Sequence, residues 1–86
     1  MSAIYTTKEA KEIEKQIARL RDPNNHLGMR IAAYDYLLTC QLTPDRAMCR
    51  NIYLPALKRA LKHEGEAKFE GVTYSFVGGQ ILRRMG

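Results

Sequence analysis

Lys68-Phe69-Glu70-Gly71-Val72-Thr73-Tyr74-Ser75-Phe76-Val77 is the stretch in which the hydrophobic period of the chain changes. Val72, Tyr74 and Phe76 alternate with Thr73 and Ser75, the two-residue period of a strand with one buried face. β-branched and aromatic side chains dominate, as strands favour. Glu70-Gly71 reads as a two-residue hairpin turn between the two apolar runs. Gly78-Gly79 makes a second break. Beyond it, Gln80 to Met85 fits either a third short strand or a helical turn.

Upstream of Gly65 the period is helical. Thr43 as N-cap, Pro44 at the first helical position and Asp45 after it predict a helix start. This helix runs toward His63 on the apolar positions Ala47, Met48, Ile52, Leu54, Leu57, Ala60 and Leu61. Pro55 lies inside it. Its missing N–H and its ring predict a kink or break near Leu54. Glu64-Gly65 supplies the stop, with Gly65 available for a left-handed cap.

Two further helices precede it. Thr6-Thr7-Lys8-Glu9 fits a capping box, and Ala10, Ile13, Ile17 and Leu20 follow at helical spacing as far as Arg21. The other residues there are charged or polar with alternating sign, so the helix shows one narrow apolar stripe to the core. Asp22-Pro23 ends it. Asn24 or Asn25 then caps a second helix, roughly Leu27 to Cys40. Leu27, Ile31, Tyr34 and Leu38 make its stripe, and Ala33, Leu37 and Cys40 widen it, which predicts the central, most buried helix. Tyr34 and Tyr36 read as core or edge tyrosines before recognition aromatics.

The expected architecture is therefore α+β: three helices, the third kinked at Pro55, then a C-terminal β-hairpin packed on them. The expected core is Ile13, Ile17, Leu20, Leu27, Ile31, Tyr34, Leu37, Leu38, Ile52, Leu57, Leu61, Phe69, Tyr74 and Phe76. With 86 residues there is room for one domain, 1–86. At 45% hydrophobic and 27% charged residues, the composition excludes intrinsic disorder as the default. A chain this short buries little more than ~60% of its unfolded surface. Partner binding or a homodimer would add to so modest a core.

Charge is unevenly placed. Lys plus Arg is 14 against 9 for Asp plus Glu. Residues 1–43 carry a net +1 and residues 44–86 a net +4. A basic half points to polyanionic partners, nucleic acid or an acidic protein surface. Cys40 and Cys49 form no C-x-x-C, and with His26 and His63 they do not form the closely spaced ligand pairs of a zinc site. Reduced, buried thiols in a cytoplasmic protein are expected. No apolar run approaches the ~20 residues of a membrane helix. Met1-Ser2-Ala3-Ile4-Tyr5 lacks the pattern of a secretory signal.

Catalytic signatures are not found: no G-x-S-x-G, no phosphate-binding glycine loop, no H-E-x-x-H, no paired carboxylates. Cys40 or Cys49 with His63 would make a nucleophile and base, but each cysteine sits in an apolar helical context where an inert thiol is commoner. No catalytic residue, metal ligand or cofactor is assigned, and a non-enzymatic binding module is expected.

The basic constellation carries the functional reading. Arg46 and Arg50 lie four apart on the third helix. Lys58, Arg59, Lys62 and His63 crowd its end, Lys68 follows, and Arg83-Arg84 come near the C-terminus. A phosphate backbone is bound by several cations on one surface, since each contact adds counterion release. The helix dipole explains Lys62 and His63 but not Arg46. The order helix–helix–helix–hairpin resembles that of winged helix-turn-helix domains, in which the third helix enters the major groove and the hairpin touches the flanking backbone. That resemblance implies Arg46, Arg50 and Asn51 on bases or phosphates and Lys68 on the wing. The leading expectation is a nucleic-acid-binding or regulatory module using Arg46, Arg50, Asn51, Lys58, Arg59, Lys62, Lys68, Arg83 and Arg84. The alternative is a phage or mobile-element inhibitor or adaptor that binds and blocks a host nucleic-acid-processing complex, since Arg and Tyr also dominate protein interfaces.

Overall fold

The residues from Thr7 onward, apolar every three or four positions, fold as α1 (Thr7–Arg21), in a computed structural model that describes residues 7–86. The proposed Thr6 cap lies outside the described residues. Ile13, Gln16 and Leu20 are buried along one side of α1, with Ile17 packed against the same core. Gln16 is tolerated there because its amide donates to Glu12 Oε2 at 2.6 Å. The end of α1 is closed by side chains that reach back: Asn25 Nδ2 donates to the carbonyl of Arg19 and Arg30 Nε to that of Leu20. Both carbonyls would otherwise be orphans of the last turn.

The second helix, α2 (Leu27–Thr39), buries Leu27, Gly28, Ile31, Ala33, Tyr34 and Leu37 and is the central element. Its cap is His26, not Asn24 or Asn25. Nδ1 of His26 accepts from the Gly28 N–H at 3.1 Å, while Asn25 is engaged with α1. Asp22 instead accepts from the Asn24 N–H and tightens the turn.

The third helix, α3, is composite. Arg46–Met48 is α-helical, Cys49–Tyr53 is π-helical, and Leu54–Glu64 is α-helical again. Its N-cap is Asp45, whose carboxylate accepts from the Met48 N–H at 3.1 Å, with Asp45 itself at φ 50. The cap expected at Thr43 is thus displaced by two residues. Thr43 is buried, and its hydroxyl has no hydrogen-bond partner. Pro55 is absorbed without ending the helix: the Leu54 N–H bonds to the carbonyl of Cys49, five residues back, and Pro55 opens the following α-helical segment. The wider turn accommodates a residue that has no donor of its own.

That turn also sets which side chains face inward. In an unbroken α-helix Cys49 and Leu57 would lie about 80° apart, at ~100° per residue. The π-helical residues turn through less each, and Cys49, Leu57 and Leu61 all end in the core with Tyr53 beside them. Ile52 does not join them: it is 57% exposed. The expectation of a core Ile52 fails: a regular helix would already put it roughly 140° from Leu57, and the π-helical turn that brings in Cys49 leaves Ile52 outside. Its apolar character did not override its place on the far side.

Three strands follow, not a single hairpin. β1 (Glu66–Phe69), β2 (Val72–Val77) and β3 (Gln80–Met85) form an antiparallel sheet in sequence order. Glu70 and Gly71 both have positive φ, as do Gly78 and Gly79, so each turn is a two-residue connection of the kind that matches strand twist. Ala67, Tyr74 and Arg83 are cross-strand neighbours on the inner face, with Phe76 opposite Ile81 beside them. Lys68, Thr73 and Arg84 form a row on the outer face. α2 runs beneath the sheet, from Gly28 beside β1 to Asp35 at β3.

Gly28 is where helix and sheet come closest. A Cβ at this position would stand 2.5 Å from the backbone carbonyl oxygen of Lys68. Gly28→Ala gains helix propensity of up to ~1 kcal/mol. The clash is with backbone, however, and overpacking costs about 1–3 kcal/mol or more, so a net loss of stability is expected. Leu37→Ala should cost ~2–5 kcal/mol, as for other fully buried leucines. Thermal melts measure both; a change under ~0.5 kcal/mol for Leu37 would place it outside the core.

Thr43→Val tests the start of α3. Replacing an unpartnered buried hydroxyl with a methyl should leave stability unchanged or raise it. A loss of about 1 kcal/mol, the usual cost of removing an N-cap side chain, would restore Thr43 to the capping role.

Candidate nucleic-acid interface

The nine residues singled out in the sequence separate into four groups. Arg46 and Arg83 are built into the fold. Arg46 is half-buried, and its Nη1 donates to the carbonyl of Leu38 at 3.1 Å, tying the start of α3 to the last turn of α2. Arg83 grips Asp35 through two parallel bonds, Nε to Oδ2 at 2.6 Å and Nη2 to Oδ1 at 2.5 Å. Its Nη1 also donates to the carbonyl of Ile81. The hydrogen bonds to Asp35 hold the Arg83 guanidinium pKa above its ordinary range, so Arg83 stays charged and committed. Both arginines are engaged within the fold: Arg46 gives one of its guanidinium N–H donors to Leu38, and Arg83 bonds through each of its three side-chain nitrogens.

The second group lies on the outward side of α3. Arg50, Asn51, Arg59 and Lys62 are exposed, together with Ile52, Pro55 and His63. Between Asp45 and Glu64 the chain contains no acidic residue, so no carboxylate is interleaved with these cations along the helix. In α1 the opposite holds, because Glu9, Glu12 and Glu14 interleave with Lys8, Lys11 and Lys15. This uninterrupted positive stretch was visible in the sequence and is a sharper signal than the net charge of the C-terminal half.

The third group is the outer row of the sheet, Lys68–Thr73–Arg84. It lies on the face of the sheet opposite the Ala67–Tyr74–Arg83 row. Lys68 stands 3.7 Å from Glu66, an exposed ion pair of little energetic weight. Lys58 is a group of its own. Half-buried, it lines a cleft of about 490 Å³ between α2, α3 and β3, together with Tyr34, Leu38, Leu54, Ile81 and Arg83. The sequence did not reveal this cleft, since it depends on how β3 crosses the end of α2.

Tyr34 and Tyr74 belong to the core: each is 3% exposed, and burial pushes both phenols above their ordinary pKa. Cys49 is buried, and burial with the nearby Asp45 raises its thiol pKa, which disfavours the reactive thiolate. His63 lies about 20 Å further along α3 at ~1.5 Å per residue, out of reach of that sulfur. Among the described residues, no group of three or more His, Cys, Asp or Glu is placed to hold a metal ion. None of the described helices is long and apolar enough to cross a membrane.

The two kinds of arginine should respond differently to truncation. Arg46→Ala removes a bond to a half-buried carbonyl and should cost about 1–2 kcal/mol. Arg59→Ala and Lys62→Ala remove exposed charges and should stay within ~0.5 kcal/mol. Chemical denaturation of the three variants compares them directly; equal losses would contradict the division into structural and surface cations.

A comparison of the chain with protein-family models, curated proteins and solved structures finds no match in any of the three.

Proposed function

We propose that the protein is a non-enzymatic nucleic-acid-binding module that contacts the phosphate backbone through the outward side of α3. The observation that carries this reading is the exposed set Arg50, Arg59 and Lys62 on a helix with no acidic residue between Asp45 and Glu64. Asn51 lies on the same exposed side and offers both a donor and an acceptor to a base edge or a phosphate. The helix is rigidly seated by Cys49, Leu57 and Leu61, so its cations are presented from a fixed scaffold. Arg46 and Arg83 take no part. The helix–helix–helix–sheet order supports the comparison with winged helix-turn-helix domains only as far as α3. Lys68 and Arg84 stand in one row on the outer face of the sheet.

A second reading has its own support. Ile52 is 57% exposed and Met48 42% exposed on the same helix. Apolar side chains set among arginines are characteristic of protein interfaces. They favour an inhibitor or adaptor of a nucleic-acid-processing complex, of phage or mobile-element type, that uses α3 against a protein.

Salt dependence separates the two. Three phosphate contacts on duplex DNA should give a slope of log K against log salt of roughly −2.7. Arg50→Ala, Arg59→Ala and Lys62→Ala should each reduce its magnitude by about one, and the triple variant should lose binding while remaining folded. Fluorescence anisotropy with short DNA and RNA duplexes measures this. Absence of association at low salt would overturn the nucleic-acid reading. Retention of a protein partner by Arg59→Ala and Lys62→Ala, with its loss in Ile52→Ala, would establish the second.

A further inference from the structure

The two edges of the sheet are treated differently. Both hairpins close on two-residue turns, which makes Phe69–Val72 and Val77–Gln80 hydrogen-bonded pairs. Pairs alternate along an antiparallel ladder, so Lys68 in β1 and Ile81, Arg83 and Met85 in β3 turn their backbone groups away from β2. The bond from the Gly86 N–H to the Gly71 carbonyl agrees with that phase. On the β1 side the outward carbonyl of Lys68 meets Gly28 of α2. On the β3 side, only the Ile81 carbonyl has a partner among the described residues, the Arg83 guanidinium. β3 contains no proline, glycine or bulge, and Met85 is 81% exposed.

The open edge adjoins the cleft between α2, α3 and β3. Ile81 belongs to both, and Leu38 and Leu54 form the apolar wall of the cleft, with Lys58 beside them. The one carboxylate lining it, Asp35, is held by Arg83. On the other face of β3, Arg84 is exposed. No acidic residue follows Glu70 in the chain. An added strand would therefore meet an apolar recess on one face and, on the other, the positive charge of Arg84 beside the exposed Leu82, with the backbone groups of Ile81, Arg83 and Met85 between them.

We propose that the open edge of β3 receives an extended acidic segment of a partner protein as a fourth strand. Main-chain bonds to Ile81, Arg83 and Met85 supply the attachment, and alternate side chains supply the choice of partner. Residues facing the cleft are apolar and pack against Leu38, Leu54 and Ile81. Residues facing the outer side are acidic and lie beside Arg84, and Lys58 donates to a further carboxylate at the rim of the cleft. Such a peptide complements the charge of the strand, whereas a second copy would bring another Arg84 and another net +5.

The test uses the full chain and an end-blocked octapeptide of alternating valine and glutamate, with a valine–lysine peptide as control. Binding of the glutamate peptide, at least tenfold tighter than the control, is expected. Amide hydrogen exchange should slow at Ile81, Arg83 and Met85. Met85→Pro removes one outward N–H and none of the bonds to β2, so it should stay folded and bind at least tenfold more weakly. Arg84→Glu should reverse the preference between the two peptides. No binding of the glutamate peptide at millimolar concentration would overturn the proposal, as would protection confined to α3 or an unchanged preference in Arg84→Glu. Protection of the three amides that rises with protein concentration in the absence of peptide would overturn it in favour of a second copy. Protection brought by duplex DNA in place of the peptide would overturn it in favour of nucleic acid.

Discussion

The bond from the Leu54 N–H to the Cys49 carbonyl fixes more of this molecule than its single hydrogen bond suggests. A proline four residues after Asn51 would press its ring on that residue's carbonyl in a regular α-helix. The π-helical stretch Cys49–Tyr53 avoids this by widening the turn. The change in angular phase brings Cys49 onto the line of Leu57 and Leu61 and leaves Arg50 and Asn51 outside. The surface available to a partner is thus decided by how the helix passes its proline. π-turns recur at functional sites in proteins, and here the segment itself carries two of the exposed polar residues of the candidate interface.

Once α3 is phased, α2 organises the rest. It is buried along most of its length, and each neighbour is tied to it by a specific polar contact as well as by packing. Arg30 closes α1, the Leu38 carbonyl receives Arg46 from α3, and Asp35 receives Arg83 from β3. The close approach of Gly28 to Lys68 sets the sheet on the helix. A core this small gains orientation from these ties, since hydrophobic contact alone is not directional. The bidentate pair of Asp35 and Arg83 adds fixed geometry that a lone surface ion pair lacks.

Elements with a strong period were legible in the sequence: α1, the centrality of α2, and the strand at Val72–Val77. β3 was ambiguous because Gln80-Ile81-Leu82-Arg83-Arg84-Met85 does not alternate cleanly. Arg83 occupies an inner-face position, where it bonds Asp35. The caps were misplaced where two candidates competed: Asn25 is spent on α1, which leaves His26 to cap α2, and Asp45 takes the role expected of Thr43. Ile52 was assigned to the core from its side chain, when its angle to Leu57 already opposed it. Among the cations, sequence could not separate Arg46 and Arg83 from Arg50, Arg59 and Lys62. The carbonyls and carboxylate that hold the first pair are distant in the chain, and no local pattern marks them.

Positive charge has two distinct consequences in this fold. Along α3 it is unopposed and outward, which suits a polyanion and carries a dependence on salt. At β3 it stands beside backbone groups that have no partner among the described residues, where charge ordinarily protects an edge from association. Arg84 repels another copy of the same strand, and Arg83 turns back to cover the Ile81 carbonyl. Protection of this kind is selective, because an edge defended by positive charge still admits an extended segment of opposite sign. The β1 edge has no such selectivity, since the first turn of α2 is set directly against it. The contrast between a sterically closed edge and an electrostatically guarded one makes β3 a place for recognition as well as a boundary of the sheet.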